Sequence, residues 1–199
     1  YDVCLRLRLR GPGGRRWRAS VTDHLDLRSG DRVLDVACGP GHLAADLAGR
    51  VAPGGSVDGI DAAQERVKHA QGRVDRLGLP VTFQTATAQQ LPFADGTFAG
   101  VTCTMALHHI DPSGRGRAIE EMRRVLRPGG RLVVADAQPP QAGIRSLLPR
   151  LMLGHAMREQ PLAQAEQLLR QAGLAAVTRT GTSVSWVGAV TGIATDASG

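Results

Sequence analysis

The feature that most constrains the fold is a regular alternation of strand-like and helix-like segments. Five apolar runs are typical of buried strands, and helical patterns that end near glycine or proline follow the first, second and fourth of them. A last helical pattern precedes two more strand-like runs that close the chain. The seven runs span 32–37, 57–60, 81–86, 100–104, 131–136, 174–180 and 185–193. Such alternation predicts a mainly parallel sheet with helices on both faces. At 199 residues the chain has the size of one α/β domain, so we expect a single doubly wound domain over 1–199.

A glycine turn follows the first predicted strand and is the strongest ligand-binding signal. Gly39 and Gly41 lack side chains where a ligand could approach the backbone, and Asp61 ends the second strand twenty residues later. The pattern from Gly39 to Ala44 also satisfies the glycine fingerprint of dinucleotide-binding folds. Asp35 would repel a pyrophosphate but suits a cation, and Pro40 removes an N–H from the turn. Both residues favour S-adenosylmethionine (SAM) over NAD.

The charge pattern has two interpretations. The formal net charge is +6, and Lys68 is the sole lysine, so arginine supplies nearly all the positive charge. The arginines between 6 and 18 could form a nucleic-acid arm or a solvated segment. Aromatic residues make up 3% of the chain, which argues against a stacking platform for single strands. We expect no nucleic-acid partner.

Cysteine spacing and hydropathy bound the cellular setting. The three cysteines are widely separated, with no CxxC pair, which suits a reducing compartment. No apolar run approaches the ~20 residues that span a bilayer, and no signal peptide is visible. We therefore expect a cytoplasmic protein with no membrane span. We predict no metal site, because the adjacent residues His108, His109 and Asp111 would rarely chelate one ion.

Four ordered motifs make the chain resemble a known enzyme family. They are VLDVACGPG at 33–41, LPFADGTF at 91–98, LHH at 107–109 and RVLRPGG at 124–130. Together they resemble the class I SAM-dependent methyltransferases, and in particular the subgroup of ubiquinone and menaquinone biosynthesis methyltransferases. The resemblance implies a Rossmann-like seven-stranded sheet, mostly parallel with an antiparallel last strand. It also implies SAM as cofactor and S-adenosylhomocysteine as product.

The same resemblance assigns cofactor contacts. The turn would line the methionine part of SAM, Asp61 would hold the ribose with Ala62 beside the adenine, and a segment after the third strand would edge the adenine. The end of the fourth strand would lie under the sulfonium, and Tyr1 would fold over the carboxylate. The residues concerned are Tyr1, Asp35, Ala37, Cys38, Gly39, Gly41, Asp61, Ala62, Thr87, Ala88, Gln89, Cys103, Thr104 and Met105. Two positions depart from the family pattern, since Thr87 and Ala99 stand where relatives usually have aspartate.

His108 and His109 are the candidate catalytic residues. They follow the fourth strand, near the expected acceptor, and histidine is the natural general base near neutral pH. Alternatively, one histidine caps the following loop and the other orients the backbone. His155 is a weaker candidate base, and Asp136 could contact the substrate.

We expect a small, largely hydrophobic organic acceptor, and specialised (natural-product) biosynthesis as the setting. We expect residues 137–160, which are rich in leucine and methionine, to form a substrate-side insertion, and residues 1–28 to form an N-terminal helical or lid segment. Assembly into a homodimer is compatible with the sequence. Two alternatives also remain: a methyltransferase fold that binds SAM but catalyses a cyclisation or isomerisation, and an RNA methyltransferase. No aromatic clamp for a flipped base follows the fourth strand, which disfavours RNA.

Overall fold

A seven-stranded sheet with helices on both faces forms the domain in the computed structural model, which describes residues 12–138 and 160–195. Its strands are β1 Arg32–Val36, β2 Ser56–Asp61, β3 Val81–Thr85, β4 Phe98–Thr104, β5 Leu126–Ala137, β6 Ala175–Gly181 and β7 Val187–Ile193. Its helices are α1 Pro12–Thr22, α2 His42–Val51, α3 Gln64–Leu77, α4 Pro112–Arg124 and α5 Pro161–Gln171. Short 3₁₀ turns span Asp23–Leu25 and Leu107–His109.

The strand order places the ligand-binding edge of the sheet. The order is β3-β2-β1-β4-β5-β7-β6, so the chain builds outward from β1 and then returns to β4 on its other side. Ligands of open α/β sheets bind outside the carboxyl ends of the strands at such a reversal. β7 pairs antiparallel with both β5 and β6, whereas the pairs among β1 to β5 are parallel. The predicted fold, mostly parallel with an antiparallel last strand, is confirmed.

The two faces of the sheet have separate apolar cores. In β5, Leu132 and Val134 pack on the side of α4 and α5, while Val133 and Ala135 pack on the side of α1, α2 and α3. All four side chains are fully buried. Because successive strand residues point to opposite faces, a strand covered on both sides needs this continuous apolar run.

The predicted element boundaries need one substantial correction. The apolar run at 131–136 predicts a strand from 131, but α4 ends at Arg124 and β5 already begins at Leu126. Leu126 pairs with Phe98, and the register then shifts before Gly100 pairs with Arg131. Gly129, with φ of +74°, lets the chain bend there while its N–H donates to the carbonyl of Ala194 (2.8 Å). A Pro-Gly-Gly sequence that reads as a break is therefore an irregularity within the strand.

Parts of the predicted lid and insertion lie outside the described residues. α1 falls within the predicted 1–28 segment, whereas Tyr1 and most of 137–160, including His155, are not described. Among the described helices, none has the length and apolar character needed to cross a bilayer. Within 12–138 and 160–195, no cluster of three or more His, Cys, Asp or Glu side chains could hold a metal ion.

Candidate active site

Two strained backbone positions mark the carboxyl ends of β1 and β4, where the strand order reverses. Ala37 (φ +56°) follows β1, and Met105 (φ +50°) follows β4. The N–H of Met105 donates to the carbonyl of Ala135 on β5 (2.7 Å), which holds the bend in place. Non-glycine residues with positive φ cost free energy and cluster at functional sites. The predicted cofactor edge and the strained backbone therefore coincide.

The two glycines of the turn have different surroundings. Gly39 (φ +52°) is buried, but a Cβ built on it would meet no described atom within 4 Å, so the described residues leave space beside its backbone. A Cβ on Gly41 (φ +74°) would lie 2.9 Å from Cβ of Ala70 and 3.0 Å from Cζ of Phe83. Gly41 therefore also lets the start of α2 pack closely on α3 and β3, a role that we did not predict.

Asp61 holds the turn in position. Its Oδ2 accepts the N–H of Gly39 (3.0 Å), and its Oδ1 accepts the N–H of Ala63 (2.9 Å). The side chain is buried at the end of β2, and the N–H of Cys38 donates to the carbonyl of Ile60 next to it (2.8 Å). Each carboxylate oxygen can accept two hydrogen bonds, so capacity remains for ribose hydroxyls.

Asp35 is the residue whose chemistry best discriminates between ligands. Its side chain is 1% exposed, and the hydroxyl of Thr102 donates to Oδ1 (2.9 Å). By strict geometry Oδ2 has no hydrogen-bond partner among the described residues, although the backbone N–H of Ala44 acts on the carboxyl and lowers its pKa slightly. Burial raises the pKa of Asp35 to about 7, against the opposing effect of the Thr102 hydrogen bond, and the charge of Asp61 adds to the rise. A buried carboxylate with an unused oxygen fits the cationic part of SAM, whereas a pyrophosphate would add like charge.

The other predicted cofactor residues divide into exposed and buried side chains. Ala62 and Thr87 are exposed, Thr104 is half-buried, and Ala88 lies in the core. The amide of Gln89 lies against α4, since a Cβ on Gly114 would be 2.9 Å from its Nε2. The side chain of Ala88 is therefore part of the core, and that of Gln89 packs against α4.

The two cysteines of the site are not nucleophiles. Cys38 and Cys103 are buried, and burial raises the pKa of each thiol well above its ordinary range. The charge of Asp35 acts in the same direction on both thiols. Each therefore stays protonated and packs as a small apolar residue.

The structure separates the two predicted catalytic histidines. His108 is largely buried, and its Nδ1 lies 2.6 Å from Oδ1 of Asp136, which is fully buried at the end of β5. The backbone N–H of His108 donates to Oδ2 of the same carboxylate (3.2 Å). His109 is exposed, and its ring centroid lies 4.0 Å from that of His108. Asp111, rather than either histidine, caps the N-terminus of α4, because its side chain accepts a hydrogen bond from the N–H of Ser113 (2.9 Å).

Two features of this edge were missed in the sequence. The first is the pairing of His108, in the turn after β4, with Asp136 near the end of β5, 28 residues further along the chain. The second is Arg115, a buried charge on α4 beside the histidine turn. Arg115 lies three, four and seven residues before Ala118, Ile119 and Met122, on the apolar face of the helix. A charged residue on an apolar stripe is a signal that could have identified it.

Comparison with known proteins agrees with this geometry. A family model described as a methyltransferase domain matches residues 33–130. The demethylmenaquinone methyltransferase of Thermus thermophilus is 38% identical over 151 residues, which cover 76% of this chain and 67% of that protein. A SAM-dependent methyltransferase from Aquifex aeolicus superimposes with a TM-score of 0.77 at 22% identity, covering 98% of this chain and 99% of that one. The [4+2]-cyclase SpnF has a TM-score of 0.73 at 23% identity, covering 94% and 85%.

The fold and the glycine turn define a nucleotide-cofactor enzyme of the Rossmann-like class. The chain belongs to the class I SAM-dependent methyltransferases, close to the ubiquinone and menaquinone biosynthesis subgroup. The predictions of family and of SAM as cofactor are confirmed. The chain spans about half the length of several other curated relatives that it matches.

Proposed function

We propose that the protein transfers the methyl group of SAM to a weakly acidic position on a small, largely apolar molecule. The observation that carries this proposal is the His108–Asp136 pair at the carboxyl ends of β4 and β5, of which β4 pairs with β1, the strand that the glycine turn follows. A hydroxylated aromatic ring fits the chemistry, because loss of the hydroxyl proton makes either its oxygen or the adjacent ring carbon nucleophilic. The naming of one relative as a demethylmenaquinone methyltransferase supports a quinol-like acceptor.

The cofactor would be held by the residues at the ends of β1 and β2. Asp35 offers Oδ2 to the cationic methionine portion, and the space beside the backbone of Gly39 allows close approach. Asp61 offers its remaining lone pairs to the ribose. When bound, SAM supplies an electrophilic methyl group on a sulfonium and leaves as neutral S-adenosylhomocysteine.

His108 would act as the general base. With Nδ1 hydrogen-bonded to Asp136, Nε2 is the nitrogen that receives the acceptor's proton. Asp136 fixes the orientation of the ring and stabilises the imidazolium that forms, since this fully buried carboxyl group lies 2.6 Å from Nδ1 of His108. A well-placed general base adds about 10²–10⁴-fold to the rate, and alignment of the reactants supplies much of the rest.

The predictions about setting stay proposals. We propose a cytoplasmic enzyme that acts on a small-molecule acceptor and has no nucleic-acid partner. Both a monomer and a homodimer are compatible with this proposal. Acceptor selection by the 137–160 insertion, and a role in specialised biosynthesis, likewise remain predictions.

A second candidate function is cyclisation or isomerisation without methyl transfer. It is favoured by Thr87, which is exposed and uncharged where relatives usually have an aspartate for the adenine, and by the fold shared with a cyclase. A weaker adenine contact would reduce cofactor affinity without changing the fold.

The experiment compares histidine variants in an assay with labelled SAM and a short-chain demethylmenaquinol, alongside a panel of hydroxylated aromatics. We expect His108→Gln to lower turnover by about 10²–10⁴-fold, the range for loss of a general base, with unchanged affinity for SAM. His109→Gln should have a smaller effect, because that ring is exposed and the pair with Asp136 persists. His69→Gln, at an exposed position on α3, is the control. Turnover that survives in His108→Gln but is lost in His109→Gln would overturn the assignment.

A further inference from the structure

Arg115 connects three parts of the active-site edge. Its side chain is buried on α4, with 3% of the residue exposed. Nε donates to the carbonyl of Ile110 (2.9 Å), and Nη2 donates to the carbonyl of His108 (3.4 Å). Nη1 donates to Oε1 of Gln164 in the first turn of α5 (2.5 Å).

These contacts supply what the histidine turn lacks by itself. The turn Leu107–His109 is a single 3₁₀ turn, so its last carbonyls have no further helical N–H to accept. A buried carbonyl without a donor costs free energy, and the planar guanidinium can satisfy several acceptors at fixed angles. The backbone of His108 is thereby held from the carbonyl side by Arg115 and from the N–H side by Asp136.

We propose that Arg115 is a positioning residue for His108, and that Gln164 orients Arg115 from α5. This inference rests on the proposed function only in taking His108 as the base. Arg115 acts through the backbone of the turn: it keeps the imidazole in line with Asp136 and with the acceptor. A displacement of about 1 Å in a reacting group can cost on the order of 10²-fold in rate.

The first test measures the orientation of His108 directly and needs no acceptor. In protein with ¹⁵N-labelled histidine, the imidazole N–H bonded to Asp136 should give a proton signal protected from solvent exchange. Arg115→Lys keeps the charge but cannot reach all three acceptors, so the signal should exchange faster or disappear. Arg117→Lys makes the same change on the exposed side of α4 and serves as the matched control. An unchanged His108 signal in Arg115→Lys overturns the inference.

The second test is a double-mutant cycle on turnover with the demethylmenaquinol probe. Arg115→Lys should lower kcat about 10-fold with little change in KM for SAM, and it should add less than about 2-fold in a His108→Gln background. Gln164→Leu should lower kcat by a smaller factor, and Gln164→Glu, which keeps an acceptor oxygen, should recover most of that loss. Gln164→Leu also provides a milder variant if Arg115→Lys folds poorly.

The outcomes separate the two proposals. If His108→Gln has no effect on turnover, the general-base function fails, while the exchange measurement still decides whether Arg115 orients the ring. If His108→Gln lowers turnover and Arg115→Lys has no effect, or has the same effect in both backgrounds, the positioning role of Arg115 fails.

Discussion

Substitution of the two turn glycines by alanine should differ in its main effect, which is on stability at Gly41 and on ligand binding at Gly39. At Gly41 the new Cβ would lie 2.9 Å from Cβ of Ala70 and 3.0 Å from the Phe83 ring, on a backbone with φ of +74°. At Gly39 it would enter open space, on a backbone with φ of +52°. Both substitutions carry backbone strain, but only Gly41→Ala adds overpacking.

The magnitudes follow from these two costs. A non-glycine residue in the left-handed region costs roughly 1–2 kcal/mol, which applies to both positions. Overpacking a filled site costs typically about 1–3 kcal/mol more, which applies to Gly41 alone because the main chain of α3 is also within 3.3 Å. Gly41→Ala should therefore lose about 2–5 kcal/mol of unfolding free energy, and Gly39→Ala about 1–2 kcal/mol.

Urea unfolding of the ligand-free protein, followed by calorimetric titration with SAM, measures both effects. Gly39→Ala should weaken SAM binding more than its small stability loss suggests, because its methyl group would fill the space beside the turn that the cofactor is proposed to occupy. Gly49→Ala, at an exposed position within α2 with no described atom near its Cβ, is the control and should gain about 0.5–1 kcal/mol. Equal destabilisation by the two turn substitutions, or a larger loss at Gly39, would refute the distinct roles.

Three further predictions concern the charged residues. Because burial raises the pKa of Asp35 to about 7 from its ordinary 3.8, the folded ligand-free protein retains a proton that the unfolded chain releases. Its unfolding free energy should therefore fall as pH rises from about 4 to about 7; denaturant unfolding should show Asp35→Asn without that slope, and an unchanged slope would contradict the prediction. Asp61→Ala should lose about 1.5–3 kcal/mol of SAM binding by calorimetry, and unchanged affinity or preferred binding of NAD would count against the site. In salt-dependent binding assays we expect no micromolar RNA binding at physiological salt; tight binding abolished by substituting Arg15 and Arg16, which are exposed on α1, would contradict this.

Much of the fold could be predicted because its signals are local. A strand covered on both faces needs a continuous apolar run, such as Val33 to Val36 around Asp35. The end of α3 at Leu77 is likewise signalled by Gly78, whose φ of +61° is a conformation that glycine favours at a helix C-terminus. The start of β5 could not be predicted in this way. Its first residues pair with Phe98 across an irregular register, and that pairing depends on tertiary contacts rather than on the local Pro-Gly-Gly signal.

The candidate site shows the same division. The residue types at the strand ends were visible, since glycine and aspartate occur at the spacing that the chemistry requires. Which histidine is oriented was not visible, because the partner Asp136 comes from another strand and is brought to His108 by the parallel pairing of β4 with β5. The role of Arg115 depends on contacts with Gln164, 49 residues away, and no local pattern specifies that distance.

The most direct test of methyl transfer is the mass of the product. The protein should be incubated with methyl-labelled SAM and the demethylmenaquinol and hydroxylated aromatic panel, and the products analysed by mass spectrometry. We predict a labelled product one methylene unit heavier than its acceptor, formed in equal amount with S-adenosylhomocysteine. An unlabelled isomer with the mass of its precursor, made while SAM remains intact, would contradict methyl transfer and favour the cyclase.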